Sequence, residues 1–308
     1  MTGFSPPARI GAATGDRVVG AAFFSGALLA GGNAVAIRFS NRELAPLWGA
    51  GLRFALAALI FFFVMGALRL KIPPARALMG AGLYGAFNFG GSFGFAYYAL
   101  VNLHAGLGQT LLALVPLLTL LLAVAIGQER LRLSAALGTL MALAGVALTS
   151  QAPLQESVPA QSVLAALGSA FCFALAAVLV RRLPPVHPVT MNGVGMMCGA
   201  TLLLVASIVA GEYQVVPQRP ATWLAIAYLV PVGSVLVFGL YLFVLRHWAA
   251  SRAAYSFVLI PFVTVALSVW LDNEELGLGL ALGGLLVVIG VYVGALRGAP
   301  PPAELRAH

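Results

Sequence analysis

The chain has 308 residues, of which 61% are hydrophobic and only 8% are charged. Soluble domains carry about 25% charged residues, so this composition excludes an ordinary water-soluble domain and indicates a chain that lies in lipid. The net charge of +8 does not indicate nucleic acid as a partner, because the basic residues are scattered singly between apolar runs.

Apolar runs separated by charged or Pro/Gly-bearing breaks predict the membrane-spanning helices. Each span needs about 20 apolar residues to cross the hydrocarbon core, so a chain of this length has room for about ten. In chain order we predict spans at 18–37, 47–68, 76–98, 105–126, 133–150, 160–180, 188–210, 221–245, 253–271 and 277–296.

The distribution of Lys and Arg predicts the orientation of these spans. One side of the membrane would carry only Arg38, Arg42 and Arg219. The other side would carry Arg9, Arg17, Arg69, Lys71, Arg76, Arg130, Arg132, Arg181, Arg182, Arg246, Arg252, Arg297 and Arg306. Because cytoplasmic loops are enriched in basic residues, both termini are predicted to be cytoplasmic.

An internal repeat is visible when residues 116–146 are set against 261–291, a shift of 145 residues. The two segments share 13 of 31 positions, including Pro116/Pro261 and Glu129/Glu274. This similarity pairs spans 4 and 5 with spans 9 and 10, so each repeat has five helices. Since five is odd, the second copy must enter the membrane upside down, as in many secondary transporters.

The predicted fold is therefore an all-α membrane protein of ten transmembrane helices, arranged as two inverted five-helix repeats around a central cavity. The repeats are predicted at 18–150 and 160–297. The remaining segments are an N-terminal cytoplasmic tail at 1–17, a linker at 151–159 and a C-terminal cytoplasmic tail at 298–308.

Several short motifs recur in a characteristic order along the chain. They are Asn33, Ala45-Pro46-Leu47-Trp48 with Arg53-Phe54, Phe95-Ala96-Tyr97-Tyr98-Ala99-Leu100, Pro116 with Glu129-Arg130-Leu131, and Pro261 with Glu274-Glu275-Leu276. By these motifs the chain resembles the drug/metabolite transporter superfamily, specifically its ten-helix EamA-type exporters. Within that superfamily it is most similar to bacterial exporters of amino acids, including aromatic ones, of the YddG type. The resemblance implies a multi-pass protein of the bacterial inner membrane.

The third span carries the first group of candidate binding residues. Tyr84, Asn88, Gly91, Phe95 and Tyr98 recur at spacings of four, three, four and three, so they are predicted to share one helix face. An amide among aromatic rings suits a small amphipathic ligand. The alternative is an ordinary packing seam, since aromatic stripes usually belong to a core.

Polar residues on other spans complete the predicted site. Asn33, Gln109, Tyr228 and Tyr255 are further candidates for substrate binding, each with packing as its alternative. His104 lies at the predicted outer end of span 4, where it is predicted to be either a gate residue or a residue exposed to solvent. Arg53 is a charge within a span, so it is predicted either to snorkel to the outer surface or to act as a carboxylate contact or gate.

Three prolines, Pro116, Pro231 and Pro261, lie near the middle of predicted spans. Proline removes a backbone donor and kinks a helix, and in lipid such breaks persist where protein or a water-filled cavity satisfies the backbone. We interpret them as hinges beside the cavity, with static kinks as the alternative.

The acidic residues constrain the mechanism, because all nine fall in predicted tails, loops or helix ends. The sequence also lacks a phosphate-binding loop with Lys-Ser/Thr, so neither a buried proton relay nor direct use of ATP is predicted. The leading hypothesis is an alternating-access exporter of small amphipathic metabolites, such as hydrophobic or aromatic amino acids. It would work by facilitated diffusion or exchange, without cofactor or metal, as a monomer or weak homodimer in the bilayer.

Other functions fit the sequence less well. A carrier of anionic sugar phosphates would need several basic residues around the cavity, and an exporter of cationic drugs would need an embedded carboxylate. An intramembrane enzyme is not expected, because the four histidines are far apart in sequence and a Gly-x-Ser-x-Gly motif is absent. A fixed pore agrees less well with the duplicated mid-helix prolines.

Overall fold

A computed structural model of the chain describes residues 12–127, 159–180, 182–184, 186–247, 256–272 and 278–293, with isolated positions between 134 and 148. Every regular element within these residues is helical, as predicted. Six of the described helices are long and apolar enough to cross a membrane, and two shorter apolar helices accompany them in the described part of the chain. The glycine-rich third helix is also long enough to cross a membrane, although it is not among those six.

Four helices lie within the described residues of the first part of the chain. They are α1 (Ala12–Asn41), α2 (Pro46–Ala67), α3 (Ala75–Gly85, continuing through a π-helical segment Ala86–Gly91 into Ser92–Asn102) and α4 (Ala105–Leu112 and Val115–Ala125). They correspond to predicted spans 1 to 4. The predicted span 5 falls mostly outside the described residues.

Five helices follow in the second part and correspond to predicted spans 6 to 10. They are α5 (Ala160–Val180), α6 (Pro188–Val209), α7 (Pro220–Leu229, a π-helical segment Pro231–Leu236 and Val237–His247), α8 (Ser256–Asp272) and α9 (Leu278–Val291). The predicted span 18–37 is shorter than α1, which extends several residues beyond it at both ends.

The connections define two ends of the bundle. One end, here called the Glu43 end, holds the turns at 42–45, 103–104 and 210–219. The opposite end, the Lys71 end, holds the turns at 68–74 and 182–187. Side-chain contacts confirm the grouping: Arg182 donates to the Ile126 carbonyl at the Lys71 end, and Asn102 donates to Ser162 at the Glu43 end.

The two π-helical segments lie 145 residues apart, the same shift that relates the sequence repeat. In the second segment Val235 donates its amide to the carbonyl of Val230, five residues earlier. Pro231 lacks the amide that would bond the Ala227 carbonyl in an α-helical ladder. Within the same segment the Ser234 hydroxyl donates to the Leu229 carbonyl at 2.9 Å. Such π segments frequently occur at functional sites.

Glycines allow α3 and α6 to approach closely. A Cβ added at Gly199 would lie 2.6 Å from the Cβ of Phe89 and 2.8 Å from the amide nitrogen of Gly90. Gly85 and Gly195 form a second close approach of the same kind. Small residues are the usual means of packing membrane helices, and here they hold the first π-helical segment against α6.

Candidate functional site

An apolar cavity with a volume of about 100 Å³ lies between α1, α3, α4, α5, α7 and α8. It is lined by Ala22, Phe23, Gly26, Ala27, Ala30, Asn33, Ile37, Ser92, Phe93, Ala96, Leu100, Gln109, Leu112, Ser169, Phe173, Val237, Phe238, Tyr241, Val244, Ser256, Phe257 and Ile260. Helices from both halves of the chain therefore contribute to one chamber.

Few polar groups face this chamber. Asn33 from α1 and Gln109 from α4 are each 8% exposed, and each contributes an amide. Ser92 and Ser169 share a hydrogen bond of 3.2 Å between α3 and α5. A mostly apolar wall with a few placed amides and hydroxyls is typical of sites for small organic ligands.

Aromatic rings form most of the remaining wall. Phe93 and Phe238 pack edge to face at 5.9 Å between centroids, and Phe173 packs against Phe257 at 4.9 Å. These rings and Tyr241 were not predicted from the sequence. The available signal was the spacing of Phe89 and Phe93 at four residues, which places both on one helix face.

Arg53 lies beside this wall, fully buried at 1% exposure. Its Nε donates to the Ser234 hydroxyl at 2.8 Å, and its Nη2 donates to the Gly233 carbonyl at 2.8 Å. The rings of Phe54 and Phe93 flank the guanidinium, each with its centroid 5.0 Å from the central carbon. The snorkelling alternative for Arg53 is therefore wrong, because the π-helical segment of α7 supplies acceptors inside the bundle.

The cavity reaches towards one end of the bundle. Its lining includes Ala22 in the first part of α1, Val244 near the end of α7 and Ser256 at the start of α8. All three positions lie towards the Lys71 end. Towards the Glu43 end the side chains of Leu44 and Leu103 are buried, at 2% and 1% exposure.

Two glutamates join the halves of the chain at the Glu43 end. Glu212 accepts hydrogen bonds from the backbone amides of Leu47 and Trp48, at 3.1 and 2.8 Å, and so caps the start of α2. Glu43, just before α2, accepts from the amides of Gln218 and Arg219 ahead of α7. Glu212 thus binds the start of α2, and Glu43 binds the segment ahead of α7, so the two halves of the chain are joined at this end.

The Glu43 carboxyl lies outside the membrane-spanning helices. A hydrogen bond from the Thr222 hydroxyl, followed by those from the Gln218 and Arg219 amides, lowers its pKa below the ordinary 4.5. The contacts are therefore fully formed above the ordinary value and are lost as the pH falls through the lowered one.

The prediction that the aromatic and amide residues of the third span share one helix face is wrong. Tyr84 and Asn88 are buried, at 2% and 1% exposure, whereas Phe95 and Tyr98 are 46% and 44% exposed on the outside of the bundle. The π-helical segment Ala86–Gly91 explains the difference, because its wider turns rotate the later residues relative to a regular α-helix. None of these four side chains lines the cavity.

Of the other candidate binding residues, the structure brings only Asn33 and Gln109 to the cavity. Tyr228 lies beside α1 and donates its hydroxyl to the Leu29 carbonyl. Tyr255 lies outside the described residues. His104 directly precedes α4 and is exposed at the Glu43 end.

The three prolines differ in their local structure. Pro116 lies in the first turn of the second segment of α4, after a break at residues 113–114, and Pro231 begins the π-helical segment of α7. Pro261 lies inside the continuous helix α8. The sequence equivalence of Pro116 and Pro261 is thus not matched by an equivalent break, and their role as hinges stays a prediction.

The site offers no metal-binding cluster, since no group of three His, Cys, Asp or Glu side chains comes together within the described part of the chain. Its apolar walls and placed amides, inside a bundle of helices long and apolar enough to span a membrane, are typical of membrane proteins that bind small molecules.

The chain belongs to the EamA-like transporter family, whose sequence model matches residues 19–151 and again 160–295. It is similar to the "Uncharacterized inner membrane transporter YedA" of Escherichia coli K12, with 26% identity over 88% of this chain and 91% of that protein. It is also similar to the "Probable amino-acid metabolite efflux pump" of Salmonella typhimurium LT2, with 28% identity over 85% and 89%.

A solved structure described as "Crystal structure of protein" has the same fold. It superposes with a TM-score of 0.67 at 22% identity, covering 91% of this chain and 99% of that one. The chain is therefore a multi-pass helical membrane transporter, and the resemblance drawn from its motifs is confirmed.

Proposed function

We propose that this transporter exports small amphipathic metabolites, namely hydrophobic or aromatic amino acids, across the bacterial inner membrane by alternating access. The observation that carries the proposal is the cavity itself, with aromatic walls, the amides of Asn33 and Gln109, and a lining that extends towards the Lys71 end. The name of the Salmonella relative, an amino-acid metabolite efflux pump, supports the substrate class.

The architecture we propose is ten spans in two inverted repeats, 18–150 and 160–297. Two matches to one family model and the 145-residue spacing of the π-helical segments support it. Helix packing supports it as well. In the pairing of repeats, α1 corresponds to α5 and α8 to α4, and α1 packs on α8 just as α5 packs on α4. The transporter would act as a monomer or weak homodimer.

The orientation we propose places both termini in the cytoplasm. Among the described residues, Arg38, Arg42 and Arg219 lie towards the Glu43 end, whereas Arg69, Lys71, Arg76 and Arg182 lie towards the Lys71 end. The Lys71 end is then cytoplasmic, and the cavity is accessible from the cytoplasm while the outer end is closed. Such a state is the one from which an exporter accepts its substrate.

Transport would run by exchange or facilitated diffusion, because the sequence has neither an ATP-binding loop nor an acidic residue within a predicted span. An acidic residue of the chain shown to titrate together with transport would contradict this part of the proposal.

Counterflow in proteoliposomes tests the substrate class. Vesicles containing the purified full chain are preloaded with one unlabelled amino acid, and the entry of labelled phenylalanine, methionine or threonine is followed. We expect transient accumulation that depends on preloading with phenylalanine or methionine, since their side chains fit the apolar walls. Absence of counterflow with every amino acid would remove this substrate class.

A further inference from the structure

Arg53 is a buried cation for which the described residues provide no acidic partner. Its guanidinium is 1% exposed, and its recorded partners are a carbonyl, a hydroxyl, an amide oxygen and two aromatic rings. Arginine stays protonated in proteins, and an ion taken out of water costs several kcal/mol when it is not paired with a counter-charge. A buried charge of this kind therefore favours a site that receives an anion.

Only some of the hydrogen-bond donors of the Arg53 guanidinium have well-formed partners. Nε and Nη2 form short hydrogen bonds to Ser234 and Gly233 of α7, whereas Nη1 forms none. The second contact of Nη2, to Oδ1 of Asn33, is long at 3.5 Å. The buried Tyr97 hydroxyl interacts with Arg53 electrostatically and as a side-chain hydrogen-bond partner, although neither it nor Nη1 forms a hydrogen bond of good geometry. On the Nη1–Nη2 edge, the contact of Nη2 with Asn33 is therefore the only one recorded as a hydrogen bond among the described residues, and it is long.

The Nη1–Nη2 edge of Arg53 is separated from the cavity by a single layer of side chains. Asn33 and Phe93 both contact the guanidinium and both line the cavity. Asn33 is held weakly, since its Nδ2 donates to the Gly233 carbonyl at 3.3 Å. A Cβ at Gly233 would lie 3.2 Å from Nη2 of Arg53 and closer still to Oδ1 of Asn33, so only glycine leaves room for this arrangement.

We propose that Arg53 binds the carboxylate of the transported molecule, which replaces the Asn33 amide oxygen at the Nη1–Nη2 edge. This inference rests on the proposed transport function and narrows its substrates to small carboxylates with an apolar body. A carboxylate matches the guanidinium fork with two parallel hydrogen bonds, and one cation balances one anionic charge. The rings of Phe93, Phe173 and Phe238 would receive the apolar part.

The sharpest variant is Asn33→Asp, because it supplies a carboxylate of the same shape from within the protein. We expect it to raise the thermal stability of the unliganded full chain and to weaken binding of carboxylate ligands about 10- to 100-fold, the range for a charge-assisted hydrogen bond. Asn102→Asp is the matched control, since Asn102 bonds Ser162 at the Glu43 end, away from Arg53. Arg53→Lys keeps the positive charge but loses the planar pair of donors, and we expect it to weaken binding of the same carboxylate ligands.

Binding is measured by thermal stabilisation of the purified full chain with paired probes, phenylalanine against phenylalaninamide and 3-phenylpropionate against 3-phenylpropanamide. We expect the natural protein and Asn102→Asp to prefer the carboxylate of each pair about tenfold or more, and Asn33→Asp to lose the preference. Equal stabilisation by both members, a preference retained in Asn33→Asp, or no stabilisation by any probe would overturn the inference.

The outcomes separate this inference from the proposed function. If amino acids and their amides exchange equally in counterflow, the function stands and the role of Arg53 fails. If no amino acid exchanges but 3-phenylpropionate binds with the expected preference, the carboxylate site stands and the amino-acid proposal fails.

Discussion

Replacing Gly26 with phenylalanine is expected to reduce counterflow at least about fivefold, because the ring would occupy the cavity between α1 and α7. A Cβ at Gly26 meets only Leu240, at 3.6 Å, so a side chain can be accommodated at its base, and Gly26 itself lines the chamber. Overfilling a packed site costs about 1–3 kcal/mol, which corresponds to about 5- to 150-fold in a rate or binding constant.

Gly20→Phe is the matched control for this change. Gly20 lies on the same helix, does not line the cavity, and has no atom within 4 Å of an added Cβ. Both variants gain helix propensity, so a difference in transport cannot come from the loss of glycine. Equal transport by Gly26→Phe and the natural protein, at equal amounts in the membrane, would place the pathway elsewhere.

Replacing Glu212 with alanine is expected to loosen the closed Glu43 end. The change leaves the amides of Leu47 and Trp48 without their carboxylate acceptor, and loss of a helix cap costs about 0.5–2 kcal/mol. We therefore expect the population open at this end to increase about 2- to 30-fold. The measurement is labelling of Ile37→Cys, in a chain without Cys172 and Cys198, by a membrane-impermeant thiol reagent added from outside.

Glu43→Ala should act in the same direction, because Glu43 binds the segment ahead of α7. External acid should reproduce its effect only below the ordinary glutamate pKa of 4.5, since the hydrogen bonds lower the pKa of this carboxyl. Gln218→Ala, which keeps the backbone amide that Glu43 accepts from, is the control. Labelling of Ile37→Cys unaffected by Glu212→Ala and by Glu43→Ala would show that these contacts do not hold the end closed.

Much of the fold could be predicted from hydropathy alone. Long apolar runs must form helices in lipid, because only internal hydrogen bonds satisfy the backbone there, and the described helices agree with the predicted spans to within a few residues at most ends. The family followed from the order of short motifs and from the duplicated Pro116 and Pro261 segments.

The face of the third helix could not be predicted by counting residues in a regular α-helix. Six residues in a π conformation were enough to place Tyr84 and Asn88 inside and Phe95 and Tyr98 outside. The glycine pair after Phe89 does not by itself indicate a π-helical segment, and the proline at 231 predicts a kink without fixing its form. The widened turns become visible only when neighbouring helices are packed against them.

The burial of Arg53 is a second feature that could not be predicted from the local sequence. Its position, two turns into a span, agrees with snorkelling as well as with burial. The choice depends on the Gly233 carbonyl and the Ser234 hydroxyl, which lie 180 and 181 residues away in sequence. Since these acceptors come from the second half of the chain, local pattern gave no means of finding them.

The most direct test of the central claim is whether the cavity is the transport pathway and opens to the cytoplasm. A cysteine replaces Leu112, which lines the cavity from α4, in a chain lacking Cys172 and Cys198. Lys71→Cys, at an exposed position, is the control. We predict that a polar thiol reagent labels Leu112→Cys from the cytoplasmic side and that phenylalanine slows this labelling without affecting Lys71→Cys. Labelling from the outer side alone, or labelling that no transported substrate slows, would contradict the account.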